Sequence, residues 1–239
     1  MKLSNSDSVS SGKASVVEVL SEQNYDEYFS RIGDSDWPIV MGPWLSEVGF
    51  ELLYWIPFLN RIVEAYRLDK RRIYVVSRGG VSSWYGDMAS HYTDIFRLMS
   101  AEAFKSKNRD REETAGRQKH MKVGALDLEL IRAWQGHNTR DKFWWIHPAL
   151  MYKRFMPFWQ RKSSISLIES NTRHLRIKTN SIRAIEQKLP ERYIAVKFYS
   201  SKVFPAKGVH EKYVARLLRR LVVKHDVVLL NTGLDIDGH

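Results

Sequence analysis

Two carboxylates, Glu47 and Glu51, stand four residues apart in the run Gly42-Pro-Trp-Leu-Ser-Glu-Val-Gly-Phe-Glu-Leu-Leu-Tyr-Trp-Ile-Pro-Phe-Leu59. That spacing is about one helical turn, so on a helix they share a face. The run follows Trp37 to Met41, an apolar segment that reads as a buried strand stopped by Gly42-Pro43. A strand that ends in a glycine turn and feeds a helix aims free backbone N–H groups at the crevice above a sheet. A carboxylate there can accept a proton from a sugar hydroxyl as it attacks an activated donor. An acid in a first turn also complements the helix dipole, and for Glu47 that ordinary preference is the stronger reading. Glu47 is retained as a substrate contact. For Glu51, one turn deeper among aromatic and aliphatic neighbours, catalytic and structural readings weigh equally.

Further candidates follow other apolar runs. Ser77-Arg78-Gly79-Gly80 closes the segment Arg72 to Ser77, where Arg78 could hold a phosphate and Trp84 could stack on a sugar face. Lys197, Ser200, Ser201 and Lys202 close the run Tyr193 to Phe198, and a lysine inside a buried strand calls for an anionic partner. Asn231-Thr232-Gly233 could touch a nucleotide. His147 beside Pro148 could act as an acid or base, although such a pair more often ends an element. Asp235, Asp237 and His239 could ligate a hard cation, but short acidic pairs arise readily by chance. They are set aside, so neither a metal nor any cofactor is expected.

The Gly42–Leu59 run resembles the N-terminal glycine-loop helix of GT-B-fold glycosyltransferases, especially the lipopolysaccharide heptosyltransferases. Ser46, Gly49, Glu51, Pro57 and Leu59 occupy the positions of that pattern, with Glu51 six residues before Pro57 as the family's Asp is before its Pro. Phe50 is inserted between glycine and acid, and the acid is Glu. The family's Asp is its catalytic base, so the resemblance implies that role for Glu51. It also implies two Rossmann-like domains, with the acceptor on the first and a nucleotide sugar on the second. Lys197, Ser200, Ser201 and Lys202 would then contact the donor diphosphate.

The elements that must position these residues follow from pattern. Residues 1–22 are expected to be a flexible tail, with a short strand conceivable over Val16 to Leu20. An α/β domain is expected over 23–160. Its strands are Trp37–Met41 and Arg72–Ser77, and helices are expected over Asn24–Ile32, Ser46–Tyr66 with a kink at Pro57, Asp87–Met99 and Asp127–Trp134. Lys105 to Lys122 reads as a loop or mobile helix, Phe143 to His147 as a third strand or a loop, and 161–178 as a linker. From 179 a second βαβ unit begins, with a helix over Thr179–Leu189, buried strands at Tyr193–Phe198 and Val227–Leu230, and the helix Glu211–Lys224 between them. Two parallel strands cannot bury a sheet on both faces, so this second domain is expected to be incomplete.

Composition narrows the remaining classes. The 239 residues carry 38 Lys and Arg against 27 Asp and Glu, a formal charge of +11, with 44% hydrophobic residues and no cysteine. Disulfide scaffolds and thiolate metal sites are excluded. The positive charge suits a phosphate-bearing substrate, an anionic membrane surface or nucleic acid, or simply a solvated surface. Phosphate-loop, dinucleotide-fingerprint, nucleophile-elbow and zinc-helix motifs are absent from the sequence. What the resemblance implies, with this composition beside it, is a cytoplasmic glycosyltransferase, moving a sugar from a nucleotide-activated donor to a hydroxyl acceptor in polysaccharide or cell-surface glycan synthesis. Its partners would be that donor, a glycan or other acceptor and a peripheral anionic membrane contact, with no specific nucleic acid. The alternative is a non-catalytic basic α/β module that binds nucleic acid or an anionic surface.

Overall fold

The computed structural model describes residues 25–115, 120–176, 188–196 and 209–230. The chain divides into two compact units, Met1–Lys178 and Thr179–His239. Among the described residues no helix is long and apolar enough to cross a membrane. The tail, the segment Val16–Leu20, most of the helix expected over Thr179–Leu189, residues 197–208 and everything after Leu230 lie outside the described residues.

The first unit is built on a four-stranded, wholly parallel sheet: β1 (Ile39–Met41), β2 (Ile73–Ser77), β3 (His91–Asp94) and β4 (Trp144–Ile146), in the order β3-β2-β1-β4. This is an α/β arrangement compatible with a Rossmann-like fold. Helix α1 (Tyr25–Gly33) precedes the sheet and buries Tyr28, Phe29 and Ile32. Ile39 faces Ile73 on one side and Trp144 on the other, and Met41 faces Val75 and Ile146. The three residues of β1 are fully buried, as an unbroken apolar run in a central parallel strand requires.

After β1 the chain turns at Gly42, whose φ of 120° no side chain accommodates easily. A Cβ there would sit 2.2 Å from the Val76 carbonyl oxygen, so the close passage of β1 past β2 demands glycine. The Gly42–Pro43 peptide is cis. The turn is pinned on three sides. Gly42 N–H donates to the Ile146 carbonyl, Trp44 N–H to Val76, and Trp145 Nε1–H to the Gly42 carbonyl.

The helix that follows changes its winding: α2 (Val48–Phe50), a π-helical turn (Glu51–Trp55), then α3 (Ile56–Ala65). Pro57 stands in the first turn of α3, and its missing N–H removes the donor that the Leu53 carbonyl would otherwise receive. His174 Nε2 lies 3.3 Å from that carbonyl and supplies the donor instead. Arg173 N–H donates to the Pro57 carbonyl, and Asn60 Nδ2 donates to the Arg173 carbonyl. These contacts explain why the stretch expected as a linker is attached to the first unit. It contains a short helix, α8 (Ser166–Asn171), whose Ile168 is buried beside α3 and the long helix α7 (Pro148–Trp159).

The helix expected over Asp87–Met99 is a second departure. Short α4 (Ser82–Tyr85) precedes β3, and β3 pairs with β2 from Tyr74↔His91 to Ser77↔Asp94. Tyr92 and Thr93 favour extended backbone, and an edge strand tolerates the polar His91 and Asp94. The charged stretch after it is the helix α5 (Ala101–Ala115), which turns Phe104, Asn108 and Arg111 inward at spacings of four and three. Helix α6 (Ala125–Asn138) leads to β4. The core gathers around Trp44, which stacks on Trp55 at 5.8 Å and on Tyr152 of α7 at 6.2 Å between centroids.

The second unit holds β5 (Tyr193–Val196) and β6 (Asp226–Leu229), paired in parallel, with α9 (Val209–Val222) between them in sequence. The strands are parallel as expected but not buried. Their residues are half-buried or exposed, and Tyr213, Val222, Val223, Leu229 and Leu230 are more than half exposed. Among the described residues, two strands and one helix leave this parallel pair without the cover on both faces that buried parallel sheets have.

Candidate functional site

The strand order fixes where a ligand would sit. The chain moves outward from β1 to β2 and β3, then returns to place β4 on the other side of β1. Connections leaving β1 and β4 diverge at this reversal, and parallel sheets open a crevice there, outside the carboxyl ends of the strands. Leu45 and Ser46 follow β1, Arg78 follows β2, and His147 follows β4.

Arginines brace the β1 turn. Arg78 Nη2 donates to the Ser46 carbonyl at 2.6 Å, and Arg111 Nη2, from α5, donates to the Leu45 carbonyl at 3.3 Å. Burial lowers the pKa of Arg111, and the Arg78 charge acts in the same direction, while Glu112 and Asp127 oppose it. Ser46 Oγ lies 2.9 Å from the Tyr152 hydroxyl. Burial pushes the Tyr152 phenol up to about 12; Ser46 works against the rise and Glu47 adds to it. Glu47 itself is half-buried.

Beside this turn, three buried side chains converge: His120, Asp127 in the first turn of α6, and His147 at the cap of α7. Asp127 uses both oxygens. Oδ2 accepts the Gly124 N–H at 2.7 Å, closing the start of α6, and Oδ1 accepts His120 Nε2–H at 2.6 Å. His147 Nδ1 accepts the Ala149 N–H at 3.0 Å, which caps α7 and leaves the ring proton on Nε2. His147 Nε2 stands 3.2 Å from the same Asp127 Oδ1. Burial lowers His120 to about 4 despite the opposing Asp127. For Asp127, burial favours the neutral acid, but His120 and then His147 outweigh it and hold the carboxyl well below the usual range. The cluster is a carboxylate between two imidazoles. A cavity of about 690 Å³ opens beside it, bordered by His120, Asp127, Lys107, Arg111 and Glu129.

The residues singled out from sequence fall in different places. Glu51, the first residue of the π-helical turn, is 1% exposed. Its Oε1 accepts the Ser77 hydroxyl at 2.5 Å and the Tyr85 hydroxyl at 2.5 Å. Burial first, then the Glu51 charge and hydrogen bond, raise the Tyr85 phenol well above its ordinary range. Arg78 reaches the β1 turn as described, and Trp84 is half-buried against the core. Lys197, Ser200, Ser201 and Lys202 lie outside the described residues. Arg111, His120, Asp127 and Tyr152 are not singled out by sequence reasoning. Two local signals for the cluster exist in the sequence: Gly124-x-x-Asp127, which can close a helix N-terminus, and His147-Pro148, which can open one. The scan against family models gives no match to this chain, and no curated protein and no solved structure matches it.

Proposed function

We propose that the chain belongs to a sugar-transfer enzyme of GT-B type, with the first unit carrying the acceptor and the second the nucleotide-activated donor. The observation that supports this reading most is the convergence of Arg78 and Arg111 on the β1 turn, at the carboxyl edge where parallel sheets receive ligands. Two guanidinium charges there suit an acceptor that itself carries phosphate. In the reaction, an acceptor hydroxyl oxygen bonds to the anomeric carbon, the bond from that carbon to the donor's phosphate oxygen breaks, and the hydroxyl proton passes to a base. The nucleoside diphosphate leaves with the bonding electron pair.

The resemblance assigns the base to Glu51. At 1% exposure and held by Ser77 and Tyr85, Glu51 is placed to position the end of β2. Glu47, one turn earlier, is half-buried and close enough to Tyr152 to raise its phenol, so it is the carboxylate better placed to meet an acceptor. The donor roles of Lys197, Ser200, Ser201 and Lys202 rest on the resemblance alone.

Turnover with a panel of nucleotide sugars and simple glycan acceptors tests this reading. Glu47→Gln is expected to lower turnover by about a hundredfold or more at unchanged Tm, as loss of a general base does. Failure of every donor to bind, together with polyanion binding that weakens steeply with salt, would instead establish a non-catalytic basic module.

A further inference from the structure

We propose that His120, Asp127 and His147 form a proton-sensitive latch: neutral His120 fastens the chain ahead of α6 to the cap of α7, and a further proton on its ring releases that chain. Three parts of the sequence meet in the cluster. His120 stands before α6, Asp127 lies in the first turn of α6, and His147 caps α7. All three side chains are buried. The proton positions follow from their partners. Asp127 Oδ1 is an acceptor, so the His120 ring carries its proton on Nε2, 2.6 Å away. His147 Nδ1 accepts the Ala149 N–H, so that ring also carries its proton on Nε2, 3.2 Å from the same oxygen. One carboxylate oxygen thus faces both rings while both are neutral.

A further proton on His120 must go to Nδ1, which is buried and has no hydrogen-bond partner among the described residues. There it would become a charged donor without an acceptor, a costly arrangement. The surrounding charges do not repair it. Asp127 on α6 favours the charged ring, while His147 after β4 and Arg111 on α5 oppose it. Tyr152 on α7, which the His120 backbone also faces, is held in its neutral form. Lys107, Asp110, Lys122 and Glu129 border the cavity that His120 also lines, two of each sign. Burial is the largest effect, and the enclosed ring titrates at about 4. Released to water, it regains the ordinary value near 6.5. The closed latch therefore favours the neutral ring. Its advantage is complete above about pH 6.5 and is lost progressively as pH falls toward 4. Release reaches the β1 turn, because Arg111 faces His120 and also donates to the Leu45 carbonyl. The latch does not depend on sugar transfer, since it is read from the protein alone.

Hydrogen exchange of the full chain, followed by mass spectrometry and corrected for the intrinsic rate at each pH, measures the opening. Over residues 120–127 the opening constant is expected to rise about twentyfold from pH 7 to pH 5, as a ring titrating at about 4 when closed and near 6.5 when open requires. Peptides from β1 and β2 should keep their protection. His120→Gln keeps an N–H donor toward Asp127 and has no proton to gain, so the rise should vanish. Imidazole NMR of the unaltered chain reads the same event without a variant, and His120 should hold its neutral Nε2–H form down to about pH 5. Titration of His120 near its ordinary value would overturn the proposal. So would exchange over 120–127 no more pH-dependent than in β1 and β2, or a rise retained in His120→Gln.

Discussion

Ser77 Oγ and Glu51 Oε1 lie 2.5 Å apart, tying the last residue of β2 to the first residue of the π-helical turn. Tyr85 donates to the same oxygen, so one carboxylate holds a strand end, a helix and the short helix α4 together. Glu51→Ala strands two buried hydroxyls and is expected to cost about 1–3 kcal/mol in urea unfolding. Glu51→Gln retains an acceptor oxygen and should cost less. A Gln variant as unstable as the Ala variant would show that the negative charge, rather than the acceptor geometry, holds the junction.

Gly42 gives a sharper expectation. Its φ of 120°, and the 2.2 Å that would separate a Cβ at this position from the Val76 carbonyl oxygen, leave no room between β1 and β2. Gly42→Ala should lose at least about 2 kcal/mol, combining backbone strain with displacement of the strand pair. Gly49→Ala, where added bulk meets nothing, should be neutral or mildly stabilising within the helix. Equal effects at the two positions would contradict the described turn.

Much of this frame is legible in the sequence, and the boundary of legibility is physical. Central strands β1 and β2 announce themselves because burial on both faces selects unbroken apolar runs. Edge strand β3 does not, since His91 and Asp94 meet the demands of an edge and mimic a helical stretch by composition. The π-helical turn shows in the sequence only as a disturbance at Pro57. Arg111 looks like one more solvated charge in a basic run, and only the inward face shared with Phe104 and Asn108 brings it to the β1 turn. His120, Asp127 and His147 meet because β4 returns beside β1, a pairing that no local period encodes.

Alkaline stability follows from the tyrosines. Tyr66, which donates to Asp26, is raised to about 12 by burial and then by that hydrogen bond, and Tyr85 is raised further by burial and Glu51. Each folded-state pKa lies above the unfolded value near 10, so the protonated phenol is favoured by folding. Their contribution is complete below about pH 10 and is lost as pH rises through the folded values. Stability should therefore fall from about pH 10 upward, with phenolate absorbance appearing late and in step with unfolding. Tyr66→Phe should flatten part of that decline; an unchanged profile in Tyr66→Phe and Tyr85→Phe would remove these groups as its source.

The arginines at the β1 turn separate structural from ligand roles. Arg111 and Arg78 each donate to a turn carbonyl, so replacement by Ala removes both a hydrogen bond and a buried charge. Arg111→Ala is expected to lower Tm and, under the transfer reading, to raise KM for substrate about tenfold or more. Arg111→Lys keeps the charge and loses the planar fork, so it should recover less substrate affinity than stability. Calorimetry with inorganic pyrophosphate gives a readout free of turnover. If phosphate groups meet this turn, pyrophosphate binding weakens in Arg78→Ala and Arg111→Ala and improves only partly in Arg111→Lys. If the arginines serve the turn alone, Tm falls in the Ala variants while pyrophosphate affinity is unchanged, and the anionic ligand must be sought on another surface.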